Sequence, residues 1–568
     1  MWLRKCLESH SLCAISTHSN PPLPARVLDL GSRSGTEQGI RLVNGLNRHG
    51  PYVTLSHAWG RSRVITTTAS TIQQRRDGIS LSELSQTFRD AVTVARKLLV
   101  RYLWIDSLCI IQDSAEDWSI EAAKMGQYYS NSLLTISAVS APGGDHGIFC
   151  SRNPHVLNPC PALVSFPKSE DFYVDSEAER EADSAATLDV LTGFIHPVFA
   201  WDPSEETHGY LRHRPPLWQR AWVMQERVLP PRLLMFSDTQ MSWLCRSDHA
   251  SECVPEGGAG GKHLSPEEKE LQNALLALKK YYCDPLPDNL DGNSYPETLL
   301  SSATGNRISL SSSDIGTSSE LEKLHNAWYD LVTEYTKCGL TVKSDIFPAI
   351  SGIASTLQRA IAGEQFVAGL WRSDLARGLL WSAVDSTKSM PDLREYRAPS
   401  WSWASLPGPC VFTVRQILWQ DVVAHLQIVN VVLKTDPRNR FGQVDIGSTL
   451  TAVGPLKKAY PARSEDLADC AKALSPEFRG SENLFDLEVG VPIGWYIADN
   501  QDRDNLTQIW CVPILSYGSS EDDLHWYCLA MVEISRGIEH PLFMRVGMAW
   551  ITKPQWFEET PEKPYSVL

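Results

Sequence analysis

A buried strand is predicted by the run YLWID at residues 102–106, which is apolar until its terminal carboxylate. The segment before it, residues 81–99, carries apolar residues at spacings of three and four, which is the stripe of an amphipathic helix. That helix has a start signal, because SLSE at residues 80–83 fits a capping box. The sequence therefore predicts a helix that leads directly into a buried strand.

Further strands and a helix are predicted on both sides of this unit. YVTLS at residues 52–56 is a short β-prone run, and LLTISAV at residues 133–139 is another. Residues 116–129, which lie between the strand at 102–106 and the strand at 133–139, are predicted to be helical. Strand, helix, strand, helix, strand is the alternation of an α/β domain with a parallel sheet.

Polar and aromatic residues follow the ends of the first two predicted strands. Ser56, His57 and Trp59 follow the first, and Asp106 ends the second. Ligands of such sheets gather at the carboxyl ends of strands. Ser56 and His57 could hydrogen-bond a ribose or phosphate, Trp59 could stack on a ring, and Asp106 could accept a ribose hydroxyl. The alternatives are a loop that binds its own backbone and, for Asp106, a helix cap or ion pair.

The composition excludes several classes of protein. Of 568 residues, 43% are hydrophobic and 21% charged, which is typical of a globular protein. The net charge of −15 argues against a nucleic-acid partner. The sequence contains no run of 18 apolar residues, so no membrane-spanning helix is predicted. The 13 cysteines are odd in number and several lie in apolar runs, as expected of free thiols in the cytoplasm.

Metal and cofactor motifs are not recognised in the sequence. No two cysteines have C-x-x-C spacing, and Cys245 and Cys253 lack a histidine in zinc-like register, so no metal site is predicted. GGAGGK at residues 257–262 is not a phosphate-binding loop, because Glu256 and His263 stand where glycine and Ser/Thr are required. No resident cofactor is therefore predicted.

The chain divides into five predicted regions. Pro21, Pro22 and Pro24 discourage helix at the start, and Gly- and Ser-rich segments interrupt the middle. The regions are an irregular leader at 1–45, an α/β domain at 46–250 with an acidic insertion at about 165–215, a flexible linker with a helix at 251–320, a helical region at 321–395 and a β-rich region at 396–568.

Three blocks of the sequence together resemble a known family. They are YVTLSHAWG at 52–60, FRDA at 88–91 leading into YLWIDSLCIIQD at 102–113, and RAWVMQER at 220–227. In this order they resemble the fungal heterokaryon-incompatibility (HET) domain, and runs at 347–354, 368–371 and 397–405 resemble the region that commonly accompanies it. The resemblance implies non-self recognition between fungal cells followed by programmed cell death, with a protein partner of an incompatibility system or a homo-oligomer.

HET domains are in turn similar to Toll/interleukin-1-receptor (TIR) domains, which have a flavodoxin-like α/β fold. Some TIR domains cleave NAD at the nicotinamide–ribose bond, with a tryptophan four residues before a catalytic glutamate. Trp222 and Glu226 have that W-x-x-x-E form here. The resemblance implies that Glu226 is catalytic, that Trp222 packs a base or nicotinamide, and that NAD is the substrate. This chain departs from the pattern in its insertion and in Val223, where TIR domains frequently have cysteine.

Two other interpretations stay open at this stage. Glu226 could form a salt bridge to Arg220 or Arg227, and Trp222 could belong to the core. In that case the domain would be a non-catalytic module that assembles with a partner. A third hypothesis is a family member recruited as an accessory protein of a fungal metabolic pathway.

Overall fold

The computed structural model of the chain describes most of its length. The described residues are 1–11, 13, 20–31, 39–60, 64–151, 160–166, 189–195, 215–252, 254–257, 315–360, 364–384, 396–413, 422–436, 439–462, 482–486, 490–499, 506–518, 524–536 and 540–568. Most of the predicted insertion at 165–215 and most of the predicted linker at 251–320 lie outside the described residues.

A mixed sheet flanked by helices forms the N-terminal part. The elements in chain order are α1 (Trp2–Ser9), β1 (Arg26–Asp29), β2 (Arg41–Asn44), β3 (Tyr52–Ser56), α2 (Ile72–Asp77), α3 (Gln86–Lys97), β4 (Tyr102–Trp104), α4 (Asp106–Cys109), α5 (Ala115–Asn131), β5 (Leu134–Ala138), β6 (Cys160–Phe166), β7 (Asp189–Ile195), α6 (Val223–Val228), β8 (Arg232–Phe236), β9 (Met241–Cys245) and β10 (His249–Ser251). Strands β6 and β7 form a separate antiparallel pair.

The sheet has the strand order β10-β9-β8-β5-β3-β4-β1-β2. Its four central strands, β8, β5, β3 and β4, are parallel, and the strands at both edges are antiparallel. The predicted alternation of strands and helices around a parallel sheet is confirmed. All residues of β3, β4 and β5 are buried, as expected of strands covered by helices on both faces.

Two predicted boundaries differ from those observed. The capping box at Ser80 and Glu83 forms, but it closes a single 3₁₀ turn at Leu81–Glu83, and α3 begins only after Ser85. Asp106 starts α4 rather than ending β4, and its carboxylate accepts the Ser107 N–H in the first turn of that helix. Both differences lie where one element ends and the next begins.

The prediction of an irregular leader at residues 1–45 is wrong. Helix α1 and strands β1 and β2 lie in it, and β1 pairs with both β2 and β4. Prolines discourage helix, but they do not prevent a strand that begins after them. Short strands at a sheet edge are stabilised by pairing with a distant neighbour, which local sequence does not reveal.

Helices dominate the middle of the chain, together with short strand pairs. The elements are α7 (Ile315–Thr336), α8 (Pro348–Ala360), β11 (Phe366–Val367), β12 (Leu370–Trp371), α9 (Leu375–Gly378), β13 (Trp381–Ala383) and β14 (Cys410–Phe412). Helix α8 packs against α5 and α6 of the N-terminal part. None of the helices in the described part of the chain has both the length and the apolar character needed to cross a bilayer.

The C-terminal part is β-rich, as predicted, and most of its strands pair antiparallel. Its strands are β15 (Val422–Ala424), β16 (Gln427–Val432), β17 (Thr449–Pro455), β18 (Lys457–Ala462), β19 (Glu482–Asp486), β20 (Pro492–Ala498), β21 (Ile509–Tyr517), β22 (His525–Arg536), β23 (Pro541–Ile551) and β24 (Glu562–Val567). Strands β21, β18, β19, β20, β23 and β22 pair in a closed ring, and the parallel pair β23–β24 connects it to β17 and β16. The strands of this ring enclose a second apolar core, which is smaller than the main one.

Two glycines bring the N-terminal and middle parts into close contact. A Cβ added to Gly126 of α5 would lie 2.6 Å from the Cα atom of Gly352 in α8 and 3.3 Å from the Leu229 side chain. A larger residue at either position would force the two helices apart. One apolar core continues through this contact, from Cys6 through the middle helices to Val567.

Gly126→Ala is expected to destabilise the chain by about 1–3 kcal/mol, because the added methyl group overpacks this contact. At an exposed helical site the same change would stabilise by about 0.5–1 kcal/mol. Chemical denaturation of the full chain measures the difference. Gly39→Ala is the matched control, since a Cβ there would meet nothing within 4 Å. Equal effects of the two changes would contradict the close helix contact.

Candidate functional site

The candidate site lies at the carboxyl edge of the parallel strands, between β3 and β5. From β3 the chain crosses to β4 on one side and then returns to β5 on the other side of β3. Ligands of open α/β sheets bind in the crevice at this kind of switch point. Ser56 ends β3, and Ser137 of β5 lies beside it in register. The predicted site residues Ser56, His57, Trp59, Asp106 and Glu226 all lie in this region.

Glu226 reaches the site from α6, which packs beside α5 and α8. The Ser56 hydroxyl donates to Glu226 Oε2 at 2.5 Å. The Tyr129 hydroxyl, which is 3.4 Å from the Leu55 carbonyl oxygen, also faces this carboxyl. Glu226 is only 5% exposed, and Ser56 and Tyr129 are buried. A carboxyl is thus held against the end of β3 in a nearly dry environment.

Burial controls the ionisation of Glu226. It raises the pKa of this carboxyl from its usual value of 4.5 to about 7, and the nearby charge of Asp106 acts in the same direction. The Arg220 guanidinium and the hydrogen bonds from Ser56 and Tyr129 oppose the rise in pKa without cancelling it. A carboxyl whose pKa lies near neutrality can both give and take a proton at the pH of a cell.

The raised pKa of Glu226 predicts how stability depends on pH. Below pH 4.5 this carboxyl is protonated in both the folded and unfolded chain, so its contribution to stability is complete. Between pH 4.5 and about 7 the unfolded chain releases this proton while the folded chain keeps it, and this favours unfolding. The contribution is therefore lost as the pH rises through about 7. The melting temperature of the native chain should therefore fall relative to that of Glu226→Gln over this pH range. A difference that is constant or reversed would show that the pKa of Glu226 is not raised.

The loop after β3 carries His57, Trp59 and Gly60. Gly60 has a left-handed backbone with φ of +72°, and a Cβ there would lie 2.6 Å from the Gly143 Cα atom, so the turn requires glycine. The turn places Trp59 Nε1 3.0 Å from Asp106 Oδ2, to which it donates. Asp106 lies at the solvent-exposed end of the site, and 22% of its side chain is exposed.

His57 lies between the two ends of the site. Its Nδ1 atom is 3.8 Å from Asp106 Oδ1, its carbonyl accepts from Arg220 at 2.6 Å, and its ring packs edge-on against Phe88. Burial lowers the pKa of His57 below its usual value of 6.5, so the imidazole is neutral at neutral pH. Within the described residues its Nε2 atom has no hydrogen-bond partner.

Two serines at the same edge are also unsatisfied. The hydroxyls of Ser107, in α4, and of Ser137, in β5, are buried without a hydrogen-bond partner in the described part of the chain. Buried polar atoms of this kind are uncommon and call for a ligand or water. Ser107 directly follows the second predicted strand, so the sequence already places it at this edge, whereas Ser137 was not selected. Ser137 could have been found, because it lies near the carboxyl end of the third predicted strand.

Trp222 is not brought to Glu226, although the two residues are four apart. Its indole Nε1 donates to Asp345 Oδ2 at 3.1 Å, and its ring packs edge-on against Trp118. Trp118 and Asp345 line a separate cleft of about 190 Å³, which is bordered by the N-terminal, middle and C-terminal parts. Trp222 directly precedes α6, and its indole is held by these contacts with Trp118 and Asp345.

Comparison with known proteins finds a family match for part of the chain. Residues 52–226 match the family model described as "Heterokaryon incompatibility protein (HET)". The match begins at the first residue of β3 and ends at Glu226, so it includes every residue predicted for the site. Neither a curated protein nor a solved structure matches the chain significantly. Residues 52–226, about a third of the chain, are therefore similar to a HET domain.

Proposed function

We propose that the chain is a cytoplasmic fungal incompatibility protein whose HET domain hydrolyses NAD at the nicotinamide–ribose bond and so triggers programmed cell death. The observation that carries this proposal is the Glu226 carboxyl, which is buried at the switch point beside Ser56 and has its pKa raised to about 7. Groups with strongly perturbed pKa values in a crevice are candidates for catalysis.

The strand order supports the similarity to TIR domains. Counted from β3, the parallel strands lie in the order second, first, third, fourth. This agrees with the flavodoxin-like order, in which the ligand binds at the junction of the first and third strands. The Glu226 carboxyl meets Ser56 at the corresponding junction of β3 and β5.

In the proposed reaction, the bond between ribose C1′ and the pyridinium nitrogen of NAD breaks, and its electron pair leaves with nicotinamide. The ionised Glu226 carboxylate offsets the positive charge that develops on the ribose. Water then adds to C1′, and Glu226 takes the proton that the water loses. The products are nicotinamide and ADP-ribose, and no oxidant or metal is consumed.

Other residues of the edge would hold the dinucleotide. Asp106 accepts hydrogen bonds from Trp59 and from the Ser107 backbone, and its oxygens have lone pairs left for a ribose hydroxyl. The unsatisfied His57 Nε2 and Ser137 hydroxyl can bind polar groups of the ligand. Access is through the Asp106–Trp59 end, where the site is exposed. Trp222 contributes packing in this scheme, because its contacts face Trp118 and Asp345.

A non-catalytic interaction module is the second candidate. It is favoured by the low exposure of Glu226 and by its protein partners Ser56, Tyr129 and Arg220, since a purely structural carboxyl would have both features. In that case the domain would assemble with a protein partner or a second copy of itself. Cell death would then depend on a downstream effector.

The test is incubation of the purified full chain with NAD at high protein concentration, followed by chromatography. Equal amounts of nicotinamide and ADP-ribose are expected, and release from the Glu226→Gln variant should be slower by about 10²–10³. High concentration is used because clustered chains are expected to be the active form. A folded chain that releases no nicotinamide at any concentration would leave the interaction module standing.

A further inference from the structure

Four potential metal ligands meet where the N-terminal segment contacts the sheet. Cys6 lies on α1, His10 and Cys13 follow that helix, and Cys245 ends β9. One ligand atom from each of the four residues lies within 4.8 Å of the other three. Cys6, Cys13 and Cys245 are all buried. A set of three sulfur ligands and one imidazole is typical of structural zinc sites.

The spacing of the atoms suits a tetrahedral ion. With zinc–sulfur bonds of about 2.3 Å and zinc–nitrogen bonds of about 2.0–2.1 Å, a tetrahedral site places sulfur and nitrogen about 3.5 Å apart. Cys245 Sγ and His10 Nδ1 are 3.4 Å apart. The atoms of the other ligand pairs are at most 4.8 Å apart, so a small movement would bring them to the distances of a tetrahedral site.

The surrounding residues resemble the outer shell of a metal site. The second ring nitrogen of His10, Nε2, faces Asp248 Oδ2 at 4.0 Å, and Lys5 fixes this carboxylate at 3.0 Å. A carboxylate behind a metal-binding histidine orients the ring and selects its tautomer. The Ser247 hydroxyl lies 3.6 Å from Cys13 Sγ.

Arg232 supplies the matching charge. Its side chain is fully buried, and its Nε atom donates to Cys6 Sγ at 3.1 Å. Its other nitrogens donate to the carbonyls of Leu133 and Cys13. Three thiolates and one neutral imidazole around a divalent ion carry a net charge of −1. The Arg232 guanidinium would offset this negative charge at the Cys6 sulfur, to which it donates.

We propose that Cys6, His10, Cys13 and Cys245 bind one zinc ion that fastens the N-terminal segment to the edge of the sheet. All four positions are filled by protein ligands, so the site is closed and structural rather than catalytic. The proposal is independent of NAD hydrolysis, because none of its residues belongs to the site around Glu226. A search for C-x-x-C pairs misses the group, since its local spacing is C-x₃-H-x₂-C and its fourth ligand is distant in sequence.

The experiment measures zinc in the full chain, purified under reducing conditions, by elemental analysis. About one zinc per chain is expected, falling to near zero in Cys245→Ser. His10→Cys should keep the metal, because four cysteines also form a zinc site. Cys150→Ser is the control, since Cys150 is exposed and lies outside the group.

A second measurement covers variants that fail to fold. Removal of zinc from the native chain with a chelator should lower its melting temperature, and added zinc should restore it. Cobalt added to the stripped chain should give the visible absorption of a tetrahedral thiolate complex. The proposal is overturned if the reduced chain binds neither metal, if zinc content is the same in Cys245→Ser, or if mass spectrometry of the unreduced chain finds a disulfide within the group.

Discussion

Trp104→Ala is expected to destabilise the chain by about 3–5 kcal/mol, comparable with half of a domain's total stability. Trp104 lies in β4, has no exposed surface, and packs its ring 5.6 Å from that of Tyr128 and 5.7 Å from that of Tyr129. Truncation would leave a large cavity beneath α5, which a close-packed interior can only partly fill. The midpoint of chemical denaturation measures the loss.

Two further variants make this prediction specific. Trp104→Phe should cost far less, because it keeps most of the buried ring and removes an indole nitrogen that has no partner in the described part of the chain. Ile120→Ala, on the same packed helix α5 but 42% exposed, should change stability by about 0.5 kcal/mol or less. An unchanged midpoint for Trp104→Ala would show that β4 is not buried as described.

Glu226→Gln is expected to reduce the rate of nicotinamide release by about 10²–10³, which corresponds to about 2.7–4 kcal/mol of transition-state stabilisation. The substitution keeps the shape of the side chain and an acceptor for the Ser56 hydroxyl, but it removes the negative charge. Thermal melting should show a folded protein. The rate is measured by chromatography of nicotinamide.

The matched control is Glu121→Gln, which makes the same change at a buried carboxyl outside the site. Glu121 accepts from the Tyr128 hydroxyl at 2.9 Å and contacts Lys124 at the surface. It should retain the full rate. Cell killing on overexpression, normalised to soluble protein, should follow the rate of nicotinamide release. A Glu226→Gln variant that folds normally and kills at full strength would remove the enzymatic proposal and favour the interaction module.

The central strands and their helices could be predicted because their signals are local. Residues 52–56, 102–104 and 134–138 are short apolar runs, and α3 and α5 have clear periodicity or capping. The C-terminal strands could be predicted for the same reason. Ser56, His57, Trp59 and Asp106 were placed at one edge because parallel strands end together, whereas Glu226 was selected only by its W-x-x-x-E resemblance to TIR domains.

What could not be predicted depends on partners far away in the chain. Strands β1 and β2 exist because β4 offers an edge to pair with. Tyr129 faces Glu226 only because α5 and α6 pack together, and no motif marks it. The orientation of the Trp222 indole is set by its contacts with Trp118 and Asp345. Both partners are far from Trp222 in sequence, so no local pattern reveals these contacts.

The contact of Gly126 with Gly352 has a consequence for how this protein can be divided. A fragment that ends near residue 257 would keep every residue of the Glu226 site but lose α8, and it would display to water the apolar surfaces of α5 and α6 that α8 covers. Exposed surfaces of that kind promote aggregation. Truncation mapping of toxicity would then report the fate of misfolded fragments, so point variants in the intact chain are the sounder genetic tool.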